Sequence, residues 1–300
     1  MDFLHLIISA TPLILAYYLT SLGHSIVEKS GVLNLAIDGV FALGVSIAFS
    51  QAIYTGNNLL LSLSSSMLVA IVIGLFMTYI VTKFPVSHGA VGLSLMFLCY
   101  GLAGVIGVPA RILQSTTGES IGYAFSPEGV EWLYSFIAIV VLGIISHFMI
   151  EKTKLGAMIR ACGEDPLSAE ALGVNVMMTR LIAALIGFGL MGLGAGVFEL
   201  YYSRIWREGH GVGQGWIAFS ISLSSGRHPI LGILTSIIFG LLYEHRFSIV
   251  ALGLPREFAE ALPFITAILA MVIYMSTPLK RKLAPPKSLG KPFFKEERTI

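Results

Sequence analysis

Charge is what this chain has least of. Asp, Glu, Lys and Arg make up 12% of its 300 residues while hydrophobic side chains make up 55%, and soluble domains carry about twice that charged share. With a mean hydropathy of +0.83, the composition excludes an ordinary soluble globule and leaves a polytopic, all-α membrane protein. A formal charge of +2 gives no footing for nucleic acid. Only two cysteines occur, Cys99 in an apolar stretch and Cys162 in a polar one, which excludes a disulfide framework and any Cys-based metal site. The seven histidines are scattered without ligand spacing, so no metal site is expected. No Lys-Ser or Lys-Thr follows the glycine run at 209–215, which rules out a phosphate loop. No nucleophile-plus-base arrangement stands out either, and the reading is of a chain without catalytic residues or a cofactor of its own. Basic residues are also missing ahead of the first apolar run, residues 3–22. That run therefore reads as a retained first transmembrane helix rather than a signal peptide.

What is there is a series of apolar runs. A spanning helix needs about 20 mainly apolar residues; residues 3–22, 32–54, 59–82, 91–108, 131–150, 178–200, 229–243 and 259–277 fit, with a short run at 213–225. Eight or nine spans follow, forming a transmembrane domain over 1–277 and a basic tail over 278–300. Lys152, Lys154, Arg160 and Arg180, and in the tail Lys280, Arg281, Lys282, Lys287, Lys291, Lys295 and Arg298, place both segments in the cytoplasm by the positive-inside rule. The four runs between them keep them on one side if 213–225 crosses. Loops 109–130, with Pro109, Gly118 and Pro127, and 201–212 are then external, as is the N-terminus. The tail, with Pro285-Pro286, reads as a mobile extension with affinity for anionic membrane lipids.

Two polar constellations interrupt the apolar pattern. In the first, Asn34 and Asp38 are four apart and share one helix face, flanked by Gly31 and Gly39. An ionisable group inside a span costs at least about 2.5–3.5 kcal/mol at the midplane, so Asp38 needs a partner or water. The pair either lines a translocation path or fixes helix packing. The second is Arg160-Ala-Cys-Gly-Glu-Asp-Pro-Leu-Ser-Ala-Glu-Ala-Leu-Gly-Val-Asn-Val176. Asp165 is suited to N-cap a helix, Pro166 to its first position and Gly173 to a left-handed stop. The product is a polar rod of roughly 10 Å between two apolar runs, shaped as a handle on which another protein can push. Gly192 and Gly196 form a small-residue packing face, Trp216 is expected at the membrane interface, and Gly226-Arg227-His228-Pro229 reads as a tight cytoplasmic turn with Arg227 as an anchor.

Together these segments resemble the ABC importer permeases grouped with branched-chain amino acid and ribose permeases. The closest likeness is to the subgroup that works with basic-membrane-protein lipoproteins and carries nucleosides or simple sugars. Gly31-Val-Leu-Asn-Leu-Ala-Ile-Asp-Gly39 is similar to that family's early signature. Gly163-Glu-Asp-Pro166, with Ala169 and Gly173-Val-Asn-Val176, is similar to its cytoplasmic loop. Gly213-Gln-Gly-Trp-Ile-Ala218, Gly226-Arg-His-Pro229 and Leu262-Pro263-Phe264 follow in order. Departures are Val174, where the family more often has Ile, and Ser222, Ser224 and Ser225 in place of apolar residues. The resemblance implies a coupling helix at about 165–173, with Arg160, Glu164, Asp165, Pro166, Ala169 and Gly173 facing a separate ABC ATPase. It also implies a second permease chain, identical or distinct, and an extracytoplasmic substrate-binding lipoprotein in a prokaryotic cell membrane. Asn34 and Asp38 are the candidates for the path. A branched-chain amino acid permease is the nearest alternative, and its early motif has His-Gly where this chain has Asp38-Gly39. An ion-coupled secondary transporter using Asp38 is a reading of a different class, and a membrane-embedded enzyme a third.

Overall fold

The computed structural model describes residues 3–118, 120–123, 130–251 and 253–293. Pro127, Lys295 and Arg298, assigned above to an external loop and the tail, lie outside the described residues. Every regular element among the described residues is helical: α1 (Phe3–Lys29), α2 (Ile37–Tyr54), α3 (Leu59–Lys83), α4 (His88–Thr117), α5 (Glu131–Lys152), α6 (Lys154–Glu164), α7 (Pro166–Ala171), α8 (Val176–Val197, continuing as a π-helical turn over Phe198–Ser203), α9 (Gln214–Ser224), α10 (Pro229–Glu244), α11 (Arg246–Ala251), α12 (Arg256–Met275) and α13 (Lys280–Leu283). Six of them, α2, α3, α4, α5, α8 with its π turn, and α12, are long and apolar enough to cross a membrane.

The centre of the bundle is an antiparallel pair, α1 and α8, held at backbone contact by glycine. A Cβ on Gly187 would sit 2.5 Å from the Gly23 carbonyl oxygen, and one on Gly23 would sit 2.1 Å from that of Gly187. On the other flank of α8, a Cβ on Gly192 would meet the Ser66 carbonyl of α3 at 2.5 Å, and the Ser66 hydroxyl donates to the Gly192 carbonyl at 2.7 Å. Such close approach replaces the hydrophobic drive that lipid cannot supply between helices.

Several boundaries differ from those read in the sequence. The run at 32–54 is not one helix: residues 31–36 are unwound, with Gly31 at φ +91°, and α2 begins at Ile37. Asn34 causes the break, because its side-chain oxygen accepts the Ala36 N–H at 3.1 Å and competes with a helical turn there. Helix α4 runs to Thr117, so the segment expected to be loop from residue 109 begins only at Gly118, φ +70°. Pro109 lies inside it, since one missing N–H does not break a helix whose neighbouring turns are packed. The tail also departs from expectation: as far as Phe293 it is packed rather than mobile. The Ser288 N–H donates to the Gly163 carbonyl at 2.9 Å, the Ser288 hydroxyl to Cys162 and Gly163, and the Gly290 N–H to the Gly31 carbonyl at 3.1 Å.

Candidate functional site

Asp38 is fully buried in the first turn of α2. Its Oδ2 accepts the Gly213 N–H at 2.9 Å and the Tyr100 hydroxyl, and its Oδ1 accepts the Trp216 N–H at 3.2 Å. Gly213 is the N-cap of α9, in a left-handed conformation with no side chain to cap with. A helix start leaves backbone N–H groups without partners and carries positive dipole charge. Asp38 therefore caps α9 from 175 residues away. Gly215 lets the two segments touch, since a Cβ there would lie 2.4 Å from the Asp38 Cα. Asn34 is also fully buried, its amide on the Met191 sulfur at 3.6 Å.

The segment leading into α9 descends along α2. Trp206 stacks on Phe49 and donates to the Ser46 hydroxyl at 2.8 Å, Gly211 packs on Ala42 and Val45, and Gly213 reaches Asp38. Those contacts step back over eleven residues of α2, roughly 16 Å at helical rise. Helix α9 then continues beside α1, with Gln214 at Tyr17, Ser222 at Ser25 and Arg227 at Glu28. Trp216 lies in the first turn of α9, its N–H held by Asp38. Arg227 is almost fully buried, at φ +59°, and pairs with Glu28, which His24 also approaches at 3.3 Å. The sequence suggested only a surface anchor at Arg227; an isolated Glu28 two hundred residues earlier gave no sign of the partner.

The handle is a separate exposed rod. Asp165 is its N-cap, with Oδ1 accepting the Leu167 N–H at 3.1 Å and the Ser168 N–H at 3.2 Å, while Oδ2 takes the Ser168 hydroxyl. The Ser168 hydroxyl and these backbone donors hold the Asp165 carboxyl below the usual carboxylate range. Pro166 opens the helix, and Gly173 at φ +88° turns the chain out of it. Ala169 is buried with Cys162, Val176 and Phe293, fixing the rod to the body. Glu164 and Asp165 face solvent. Arg160 is partly exposed, and its guanidinium donates to the Ile150 carbonyl and meets Glu151 at 3.2 Å at the corner between α5 and α6. Two apolar residues escaped the sequence reading, Leu167 at 40% exposed and Leu172 at 85%. A leucine that bare on a polar segment marks a contact surface, but nothing in the local pattern says which way it points.

The packed tail connects these two regions. Ser288 holds the α6 terminus, Gly290 holds Gly31 at the entry to the unwound segment, and Phe293 closes over the handle's inner face. Arg180 adds a second tie, donating from Nε to the Ser30 carbonyl at 3.1 Å with its guanidinium carbon 5.7 Å from the centre of the Phe293 ring.

Comparison with known proteins gives a consistent picture. The profile of a family described as "Branched-chain amino acid transport system / permease component" matches residues 6–271. The chain is 25% identical to the guanosine ABC transporter permease protein NupQ of Bacillus subtilis, over 97% of this chain and 96% of that one. It is 26% identical to the nucleoside ABC transporter permease protein NupC of Lactococcus lactis, over 98% and 96%. It is also 29% identical to a putative glucose ABC transporter permease protein, TsgC13, of Haloferax volcanii, over 78% and 73%.

Proposed function

The chain belongs to the branched-chain amino acid transport system / permease component family, and we propose that it is the membrane-spanning subunit of an ATP-driven importer for a nucleoside or simple sugar. Matches to a guanosine and a nucleoside permease over nearly the full length of both chains support that substrate class over a branched-chain amino acid. The observation that carries the reading is the handle: a capped six-residue helix, exposed on its outer face and bearing Leu167 and Leu172, held rigidly to the bundle by Ala169. A surface of that kind suits docking of an ABC ATPase, which would hydrolyse the ATP; this chain is not assigned chemistry of its own. Glu164, Asp165 and the two leucines are the contact residues. Pro166 and Gly173 shape the helix, and Arg160 sets the angle between α5 and the handle.

The proposal includes nine crossings. Residues 204–213 and α9 make one of them between them, the loop covering roughly 16 Å and the eleven-residue helix about as much again, against a hydrocarbon core of about 30 Å. Broken spans of this type line cavities in transporters, where non-helical backbone is shielded from lipid. The handle, the 226–228 turn and the tail share one end of the bundle. That end is assigned to the cytoplasm on its Lys and Arg content, leaving the N-terminus outside. A second permease and an external binding protein would complete the importer. Asn34 and Asp38 are positioning residues beside the path, an assignment supported by the three donors that already occupy the Asp38 carboxylate.

The test is purification of the tagged chain in mild detergent with its neighbours co-expressed, followed by ATPase assay. Recovery of a stoichiometric ATPase is expected, and Asp165→Arg is expected to abolish ATP-dependent uptake with expression intact. Normal uptake by that variant would remove the handle as the docking site.

A further inference from the structure

Above Asp38, toward the end of the bundle away from the handle, lies a cavity of about 300 Å³. Ser46 from α2, Tyr100, Gly101 and Gly104 from α4, and Trp206, Glu208 and His210 from the descending loop are among its walls.

Its first unusual property is the two glycines. Two other glycines of these helices are dictated by contact: a Cβ on Gly107 would strike Trp206 at 2.2 Å, and one on Gly39 would strike Met96 at 2.4 Å. At Gly101 and Gly104 nothing lies within 4 Å of an added Cβ. Glycine inside a helix costs about 0.5–1 kcal/mol relative to alanine. No packing within this chain requires it at 101, which is exposed, or at 104, which is half-buried; both border the open volume.

The second property is the polar furniture. The Tyr100 hydroxyl reaches back to Asp38, and the Ser46 hydroxyl accepts from Trp206. His210 Nε2 lies 2.5 Å from the Ser203 hydroxyl and 3.5 Å from a Glu199 carboxylate oxygen. Glu199 is fully buried, and neither of its oxygens has a hydrogen-bond partner. It stands behind His210 on the π-helical turn that ends α8, an irregularity found often at functional sites. The packing leaves that carboxyl unsatisfied, 3.5 Å from the imidazole on the cavity wall.

Charge is the third. The lining residues include one carboxylate, Glu208, and no Lys or Arg; Arg204 and Arg207 of the same loop are not among them. An anionic group entering this volume would meet a carboxylate and no cation on the walls themselves, with the Arg207 charge acting on His210 from outside them.

We propose that this cavity is a solute-binding station on the transport path, shaped for a neutral, hydroxyl-rich ring compound of the nucleoside class, with Tyr100, Ser46 and His210 as its hydrogen-bond partners. The volume is at the small end of ligand pockets, and aromatic edges beside a few convergent polar groups suit a sugar or base ring. This assignment rests on the permease reading and adds the site and the reason for its selectivity.

The experiment is uptake of radiolabelled guanosine by cells expressing the complete importer and lacking their own nucleoside carriers. It compares the wild-type chain with Gly101→Leu, Gly104→Leu and Val105→Leu, the last on the exposed α4 surface outside the cavity. Both glycine variants are expected to lose at least 20-fold in uptake while still co-purifying with the ATPase and the second permease, and Val105→Leu is expected to transport normally. Unlabelled uridine in excess should suppress guanosine uptake, whereas GMP and leucine should not. Uptake within twofold of wild type in both glycine variants overturns the site. So does loss of the second permease from their complexes, which would assign this α4 face to subunit contact. Suppression by leucine as strong as by uridine overturns the charge argument. Wild-type cells that import leucine but neither guanosine nor ribose would instead refute the nucleoside or sugar reading itself.

Discussion

Two aspartates in this chain do the same job in opposite surroundings. Asp165 caps α7, two and three residues ahead of the groups it receives, in full view of solvent. Asp38 caps α9 from 175 residues away, in the interior of the bundle. The first is a local device: it sets where a short rod begins and leaves everything behind it unchanged. The second is a long-range clamp, joining α2, α4 and a half-helix that otherwise has no cap. A helix end in water can use solvent for its unpaired N–H groups; one inside a membrane bundle cannot, so its cap is part of the fold.

The sharpest way to test that contrast is to remove each carboxylate. Asp38→Ala leaves the Gly213 and Trp216 amides and the Tyr100 hydroxyl without their acceptor. At about 1–3 kcal/mol for each buried unsatisfied group, the loss is on the order of 3 kcal/mol or more. The variant is expected to accumulate poorly and to melt many degrees lower in detergent. Asp38→Asn keeps an acceptor oxygen and is expected to recover part of the loss. A melting temperature for Asp38→Ala equal to wild type would show that α9 needs no cap from α2.

Between the two aspartates in expected effect stands the tail. Truncation after Ala284 removes Ser288, Gly290 and Phe293, freeing the carbonyls of Gly31, Cys162 and Gly163. Because these ties bind the handle's base to the entry of the unwound segment, uptake is expected to fall several-fold while the transmembrane core, measured by α1–α8 cross-linking, is unaffected. Equal loss of both would make the tail a general stabiliser rather than a connection between handle and path.

How far each region was legible in the sequence follows from the same contrast. Asp165, Pro166 and Gly173 signal a helix start and stop within nine residues, so the handle could be drawn from the sequence almost to the residue. Asn34 and Asp38 were visible as polar residues with no right to be in a span, but the run at 32–54 read as one helix because the Asn34 side chain that unwinds its start leaves no hydropathy signal. Their partners were not: nothing in Asp38 names Gly213 or Trp216, and nothing in Arg227 names Glu28. The short run at 213–225 was puzzling for the same reason, because its missing half is loop backbone, which has no hydropathy signature. Pro285-Pro286 and the lysines suggested a loose tail, since composition cannot register that one serine and one glycine will find carbonyls at the ends of two helices.

A smaller effect separates charge from capping at Asp165. Asp165→Asn retains an oxygen for the Leu167 and Ser168 N–H groups and loses the charge together with the Oδ2 acceptor of the Ser168 hydroxyl; Asp165→Ala loses all of these. If the handle's shape is what the ATPase reads, Asn should transport within about twofold of wild type, with Ala several-fold lower, since Asn and Asp cap almost equally well. If the carboxylate contacts a basic group on the ATPase, Asn and Ala should be equally impaired.

The least change is expected from acid. The Ser168 hydroxyl and the backbone donors lower the Asp165 carboxyl from its ordinary value of 3.8. A group whose folded value is depressed contributes fully above its unfolded value and loses that contribution as pH falls through the folded one. Binding of the purified ATPase subunit to the detergent-solubilised chain should therefore keep the full Asp165 contribution, with no pH dependence from this group, between pH 8 and 5. Its share should be lost only below the ordinary carboxylate value, and Asp165→Asn should abolish that low-pH component. A loss centred near neutral pH that persists in Asp165→Asn would come from another group, and would separate the handle's pH response from the helix cap that builds it.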